Sequence, residues 1–176
     1  MLEKLSEIGR LFKLKGNLVR YELINSGNIN YTLRVFYDTG KSYIFQNVNI
    51  NVFKEPIGVM RNIDNVTTYI REEFPSSISL HYHHTVYGDN FILYNGEFWR
   101  VMSDFNAFTI DTCDSLEDIK NIGEAFGEYQ RKLNRFDSSV LIESIKDFHN
   151  TQKRIDTLLE YADSNNIKME EIEYIR

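Results

Sequence analysis

The sequence predicts an α+β fold, and three observations lead to it. Two blocks of alternating apolar and polar residues each break into three short strands. A run with apolar residues at helical spacing separates the blocks. After residue 103 the alternation stops and only helical periodicity remains, so the sheet belongs to the first part of the chain.

The first element is a short amphipathic helix. Leu2, Leu5, Ile8, Leu11 and Phe12 recur at helical spacing, and Gly16-Asn17 stops the run. Leu18 to Ile24 reads as a strand, and Ile29 to Asp38 alternates as a second. Asp38-Thr39-Gly40-Lys41 is a turn, and Ser42 to Val48 returns as a third strand, giving an antiparallel meander. Glu55-Pro56 opens a helix, because proline is tolerated in the first turn. Val59, Ile63, Val66 and Ile70 form its expected buried stripe, and Pro75-Ser76-Ser77 ends it. Strands resume at Ile78 to Tyr87, Phe91 to Tyr94 and Glu97 to Met102, with Gly88-Asp89-Asn90 and Asn95-Gly96 as turns.

From Ser103 a segment without period serves as a connector. Ser115 caps the next helix, with Asp118 three residues on. Leu116, Ile119, Phe126 and Leu133 line one face of that helix, and Gly123 and Gly127 would let another element approach closely. Helical stretches follow at about Ser139 to Ile145 and Thr151 to Asp163, and KMEEIEYIR starts a further element.

Composition excludes several function classes. Net charge is −6 and no basic cluster exceeds two adjacent residues, which argues against a nucleic-acid surface. No apolar run approaches the roughly 20 residues of a spanning helix, and the charged N-terminus has no signal core, so no membrane role and a cytoplasmic setting are expected. The single cysteine, Cys113, forbids an internal disulfide, and its aspartate neighbours raise a thiol pKa rather than activate it.

Four stretches invite chemistry. Ser26 to Thr32 places a glycine in a polar turn between strands, and such turns direct N–H groups at an anion beneath them. One glycine is weak evidence, and the residues alone favour a plain hairpin corner. His81, His83 and His84 suggest metal, but with no Cys or carboxylate partner nearby a solvated strand face is the better reading. Asp104-Phe105-Asn106 departs at its third residue from a metal-binding kinase tripeptide. In Asp147 to Arg154, Asn150 or Thr151 reads as a helix N-cap. Residue chemistry alone therefore yields a soluble α+β domain without an assigned activity.

Five collinear strings carry a resemblance. SGNINYTLRV, YIFQNVNINVFKEP with the following VMRNIDNVT, GEFWRVMSDF, EAFGEYQRKL and DFHNTQKR resemble the aminoglycoside-phosphotransferase-like kinases, in the family's order and across nearly all of residues 1–160. The N-acetylhexosamine 1-kinase type is the most similar branch. The resemblance implies a protein-kinase-like N-terminal lobe over 1–102, an antiparallel sheet plus one packed helix. A hinge follows over 103–115, and the first helices of a helical C-terminal lobe over 116–176. It implies a nucleotide site at Gly27, Asn28, Asn30, Tyr31, Thr32, Gln46, Met102, Asp104 and Phe105, with ATP and Mg2+ as the family's cofactors. It further implies that this is the nucleotide-side portion of a sugar kinase, moving the ATP γ-phosphate to the anomeric hydroxyl of an N-acetylhexosamine. The family's catalytic loop and metal-binding Asp are expected downstream of the matched region. On that expectation the chain carries no catalytic or metal residue, is inactive alone, and meets the amino sugar only through a missing lobe. The alternative is a stand-alone nucleotide- or protein-binding module, self-associating through an exposed helical face. One departure bears on the phosphates. A kinase lobe offers a third-strand cation paired with a helix Glu, whereas here Gln46 and Asn47 are neutral and Arg61 stands where the branch has Glu.

Overall fold

A computed structural model describes residues 1–25, 27–107, 112–113 and 115–165. The chain forms two compact units, Met1–Ser144 and Ile145–Arg176. The first opens with α1 (Leu2–Leu11), followed by β1 (Leu18–Ile24), β2 (Tyr31–Tyr37), β3 (Ser42–Val48), α2 (Pro56–Glu73), β4 (Ile92–Tyr94), β5 (Glu97–Ser103), α3 (Leu116–Leu133) and a single 3-10 turn at Ser138–Val140. The second unit holds α4 (Thr151–Ser164). Among the described residues the strands form one antiparallel sheet in the order β1-β2-β3-β5-β4. No described helix is long and apolar enough to cross a membrane.

The period of two along each strand sorts side chains onto two faces. Leu33, Val35, Tyr37, Tyr43, Phe45, Trp99 and Val101 share one face, and Leu5, Ile8 and Phe12 of the α1 segment complete that core. On the other face Val48 and Phe98 join Met60 of α2 and Tyr82. The Asn95-Gly96 corner takes φ of 50° and 80°, the left-handed pair that a tight hairpin turn demands.

A hydroxyl inside the α1 core lacks a partner. Tyr37 Oη is buried and makes no hydrogen bond among the described residues. Burial, with Tyr43 as a smaller cause, pushes its pKa up to about 12. A Cβ on Gly9 would lie 2.0 Å from that oxygen, so glycine is what lets α1 approach the sheet here. Tyr37→Phe removes an unsatisfied polar atom and is expected to be neutral or to stabilise by about 1 kcal/mol. Gly9→Ala alone is expected to cost about 1–3 kcal/mol through the clash. In the double variant the nearest ring atom is 3.3 Å away, so most of that cost should disappear. Urea midpoints of the four proteins check this, and additive effects would refute it.

The structure corrects several sequence expectations. Ile78 to Tyr87 is not a strand: apart from the Tyr82↔Met102 bridge it runs irregularly. His83 N donates to Val101 O at 2.8 Å and Ser103 N to His81 O at 2.9 Å, and the pairing extends no further. The buried residues of α2 are Met60, Thr67 and Ile70, with Val59, Ile63 and Val66 half-buried, so the helix is rotated by about one position from the expected stripe. The reason is that Met60 fills the space between Val48 and Phe98. Ser115 Oγ caps α3 by accepting from Asp118 N at 3.1 Å, as the sequence predicts. Yet most of the expected apolar face of α3 is open: Leu116, Ile119 and Phe126 are exposed, Phe126 by 68%, and only Leu133 at its end is half-buried. No described residue comes within 4 Å of where a Cβ would stand at Gly123 or Gly127. The chain beyond α3 returns to α2, where Asn62 Nδ2 donates to Ile142 O at 2.7 Å and Ile142 N donates to Asn62 Oδ1 at 3.0 Å. KMEEIEYIR lies wholly outside the described residues.

Candidate functional site

The α2-bearing face of the sheet carries the polar side chains. Register places Thr32 opposite Gln46 and Gln46 opposite Arg100, a polar row across β2, β3 and β5. Gln46 Nε2 donates to Thr32 Oγ1 at 3.1 Å, which turns its carbonyl oxygen toward β5. Arg100 Nε donates to that oxygen at 2.9 Å. Arg100 Nη1 also approaches Met60 Sδ at 3.7 Å, and the guanidinium lies 5.3 Å from the centre of the Tyr82 ring. Burial lowers the Arg100 pKa, with a weaker opposing effect from Tyr82.

The next row holds Arg34, Ile44 and Met102. Just past β5, Asp104 is anchored from two strands. Its Oδ2 accepts from Ser42 Oγ at 2.7 Å and lies 2.9 Å from Arg34 Nε. That second contact is an ion pair off the hydrogen-bond line, since Arg34 Nε has no hydrogen-bond partner among the described residues. Asp104 Oδ1 accepts from Asn106 N at 3.0 Å, a short local turn at the start of the connector.

The nine residues singled out from the sequence divide into three groups. Thr32, Gln46 and Met102 share the α2 face, and Asp104 is tied to that face through Ser42 and Arg34. Asn30 is structural at the turn: its Oδ1 accepts from Asn49 N at 3.0 Å and fixes the β1–β2 corner to the chain after β3. Gly27, Asn28, Tyr31 and Phe105 are exposed, and the space around Gly27 is open. Ser26, at the head of the same turn, lies outside the described residues. A separate cavity of about 340 Å³ lies at the β1–β2 and β4–β5 corners, lined by Ile29, Tyr31, Asn47, Ile50, Gly96 and Glu97 among others. It includes Tyr31 but not Gln46, Met102 or Asp104. Sequence reasoning missed Arg100. Its signal was a lone cation among apolar neighbours in Phe98-Trp99-Arg100-Val101-Met102.

Among the described residues no cluster of three or more His, Cys, Asp or Glu side chains could hold a metal ion. The histidine group illustrates why. His81 and His83 meet edge to face at 4.8 Å, and His84 turns to Asp64 at 3.3 Å. His83 is half-buried against the Tyr43 ring, with Nε2 3.1 Å from Ser103 Oγ. Burial, then His81, Lys41 and His84, hold its pKa down to about 4. In the folded state His83 therefore stays neutral between pH 6.5 and 4, while the unfolded chain takes up a proton. Its share of stability is complete above pH 6.5 and is lost as pH falls toward 4. His83→Gln should narrow the gap between urea midpoints at pH 7 and pH 5. An unchanged gap would refute the assignment.

In the second unit, Asn150 Oδ1 accepts from Lys153 N at 3.0 Å, so of the two caps the sequence allows, Asn150 and Thr151, it is Asn150 that caps α4. Asp147 pairs with Lys153, and Arg154 donates to Phe148 O at 2.8 Å. These contacts tie the helix start to the segment before it.

No known family model matches the chain. The fold is similar to a spectinomycin phosphotransferase solved in complex with ADP and spectinomycin, with a TM-score of 0.51 and 14% sequence identity. The match covers 78% of this chain and 39% of that one, so the chain spans about two fifths of that enzyme's length. At this identity the likeness concerns the fold: a kinase-like α+β arrangement of an antiparallel sheet and packed helices.

Proposed function

We propose that the chain is the nucleotide-side portion of a phosphotransferase that moves the γ-phosphate of ATP to a hydroxyl of an amino sugar. The acceptor is the anomeric hydroxyl of an N-acetylhexosamine. The observation that carries this reading is the kinase-like sheet, shared with a phosphotransferase whose structure holds ADP. The α2-side face suits a nucleotide. The polar row of Thr32, Gln46 and Arg100 offers donors to phosphates, and Ile44 and Met102 offer an apolar surface to adenine. Because Ser103 N is committed to His81 O, the purine edge would meet the connector beyond it, at Asp104 and Phe105. Residues 103–115 serve as the hinge, and the helices from Leu116 begin the second lobe.

Among the described residues no group of three or more His, Cys, Asp or Glu side chains could hold Mg2+ on protein ligands alone. Phosphoryl transfer depends on positioning and on charge neutralisation at the γ-phosphate. The 176-residue chain should therefore bind Mg-ADP without turning over Mg-ATP and N-acetylglucosamine. Calorimetry with ADP and a coupled ADP-release assay test the two halves of this expectation. Absence of ADP binding would overturn the nucleotide reading, and sustained turnover would overturn the division of labour.

A further inference from the structure

The geometry points to Arg100 as the phosphate-binding cation of this face, a subsite for the polyphosphate of a nucleotide built with Gln46 and Thr32. The inference rests on the nucleotide reading above and assigns the charge that β3 itself does not supply.

The first argument is charge balance. Arg34, two strands away, has Asp104 as its counter-ion. Arg100 has none among the described residues: its partners are an amide oxygen, a thioether sulfur and an aromatic ring. Taking a cation out of water costs several kcal/mol even after relaxation. One neutral hydrogen bond and a cation–π contact offset only part of that. A bound anion would supply the rest.

The second argument is donor count. A guanidinium carries five N–H donors in a fixed fork. The Gln46 and Met60 contacts engage Nε and Nη1, which leaves Nη2 without a hydrogen-bond partner among the described residues. Such a fork suits the paired oxygens of a phosphate.

The third is preorganisation. Thr32 fixes the Gln46 amide, and Gln46 fixes Arg100 Nε, so the fork is held by the pairing of three strands. Arg100 is half-buried, so part of the guanidinium side chain remains in contact with solvent. A purely structural arginine packed on Met60 and Tyr82 would share these neighbours. It would differ in one respect: replacing it with a residue of similar length and no charge would gain nothing.

The experiment uses the full chain and three probes, ADP, adenosine and inorganic tripolyphosphate, titrated calorimetrically into wild type and Arg100→Met. The expected result is that Arg100→Met weakens ADP and tripolyphosphate by at least about tenfold, leaves adenosine unchanged, and melts no lower than wild type. Equal affinity of the two proteins for both anions overturns the inference, as does failure of tripolyphosphate to bind wild type at low salt. If tripolyphosphate binding depends on Arg100 but adenosine does not bind, the anion subsite stands and the nucleotide reading falls. An NMR titration of wild type guards against a variant that does not fold. The Arg100 Nε–Hε signal should move with tripolyphosphate, and a stationary signal overturns the assignment.

Discussion

Trp99→Ala should lower stability by about 3–5 kcal/mol, the largest loss expected of any single truncation in this chain. Trp99 is buried on the α1 face of β5, in one cluster with Leu5, Ile8, Phe45 and Val101. Its ring is also held at its polar edge: Nε1 donates to Glu97 Oε2 at 2.8 Å, and Lys4 Nζ lies 5.0 Å from the ring centre. Lys4 pairs with the same carboxylate, and the hydrogen bond from Lys4 is the leading cause that lowers the Glu97 pKa. Truncation thus opens a cavity between α1 and the sheet and removes one partner of a polar cluster. For a domain with about 5–15 kcal/mol of stability, such a loss is a large fraction of the total. A chain of this size should melt roughly 10 °C lower. Trp99→Phe keeps the ring and should lose much less. Circular dichroism melts of both variants check the prediction, and a Trp99→Ala melt within 2–3 °C of wild type, on the order of 1 kcal/mol, would refute it.

The second large effect concerns the segment after β5. Asp104→Ala is expected to cost about 2–4 kcal/mol, because it strands a partly buried guanidinium. The Asp104 side chain is 3% exposed and that of Arg34 29%, so the cation left behind keeps some solvent. That access sets the estimate below the cost of breaking a fully buried pair. Ser42 Oγ and Asn106 N also lose their acceptor. Asp104→Asn keeps an oxygen for Ser42 but not the charge, and should fall between wild type and Asp104→Ala. Under the proposed function the same change frees the adenine-side connector, so ADP should bind more weakly to Asp104→Ala even below its melting temperature. Urea unfolding and ADP titration read the two consequences separately. A midpoint within 0.5 kcal/mol of wild type would show that the anchor carries little weight.

The arginines of the α2 face show how a short sheet handles charge. Arg34 meets a carboxylate that arrives from 70 residues further along the chain. Arg100 meets only neutral partners. The difference separates a cation that anchors the connector from the one that the proposed subsite assigns to phosphate. The third-strand position, read from the sequence as lacking a cation, is indeed neutral at Gln46. That amide instead orients the arginine of the neighbouring strand.

Much of the local structure was legible in the sequence. The bounds of β1 and β3, the Asn95-Gly96 corner, the proline that opens α2 and the caps at Ser115 and Asn150 all follow from residues within a few positions of one another. Alternation on β2 also foretold that Leu33, Val35 and Tyr37 share one face. Each of these is a contest between neighbouring residues for φ, ψ and the nearest hydrogen-bond partner, and sequence records it directly.

The tertiary structure decided the remainder. Nothing local indicates that β5 inserts between β3 and β4, yet that order alone brings Arg100 to Gln46 across 54 positions. Residues 78–87 have strand-like composition but gain only one bridge, because β4 occupies the other half of the same β5 edge. The rotation of α2 was settled by the shape of the gap that Met60 fills, and the apolar stripe of α3 carries no mark of whether a neighbour will cover it. Sequence periodicity specifies which side chains share a face. Which faces meet, and which charges find partners, depends on strand order and register, and those are fixed by packing between residues far apart in the chain.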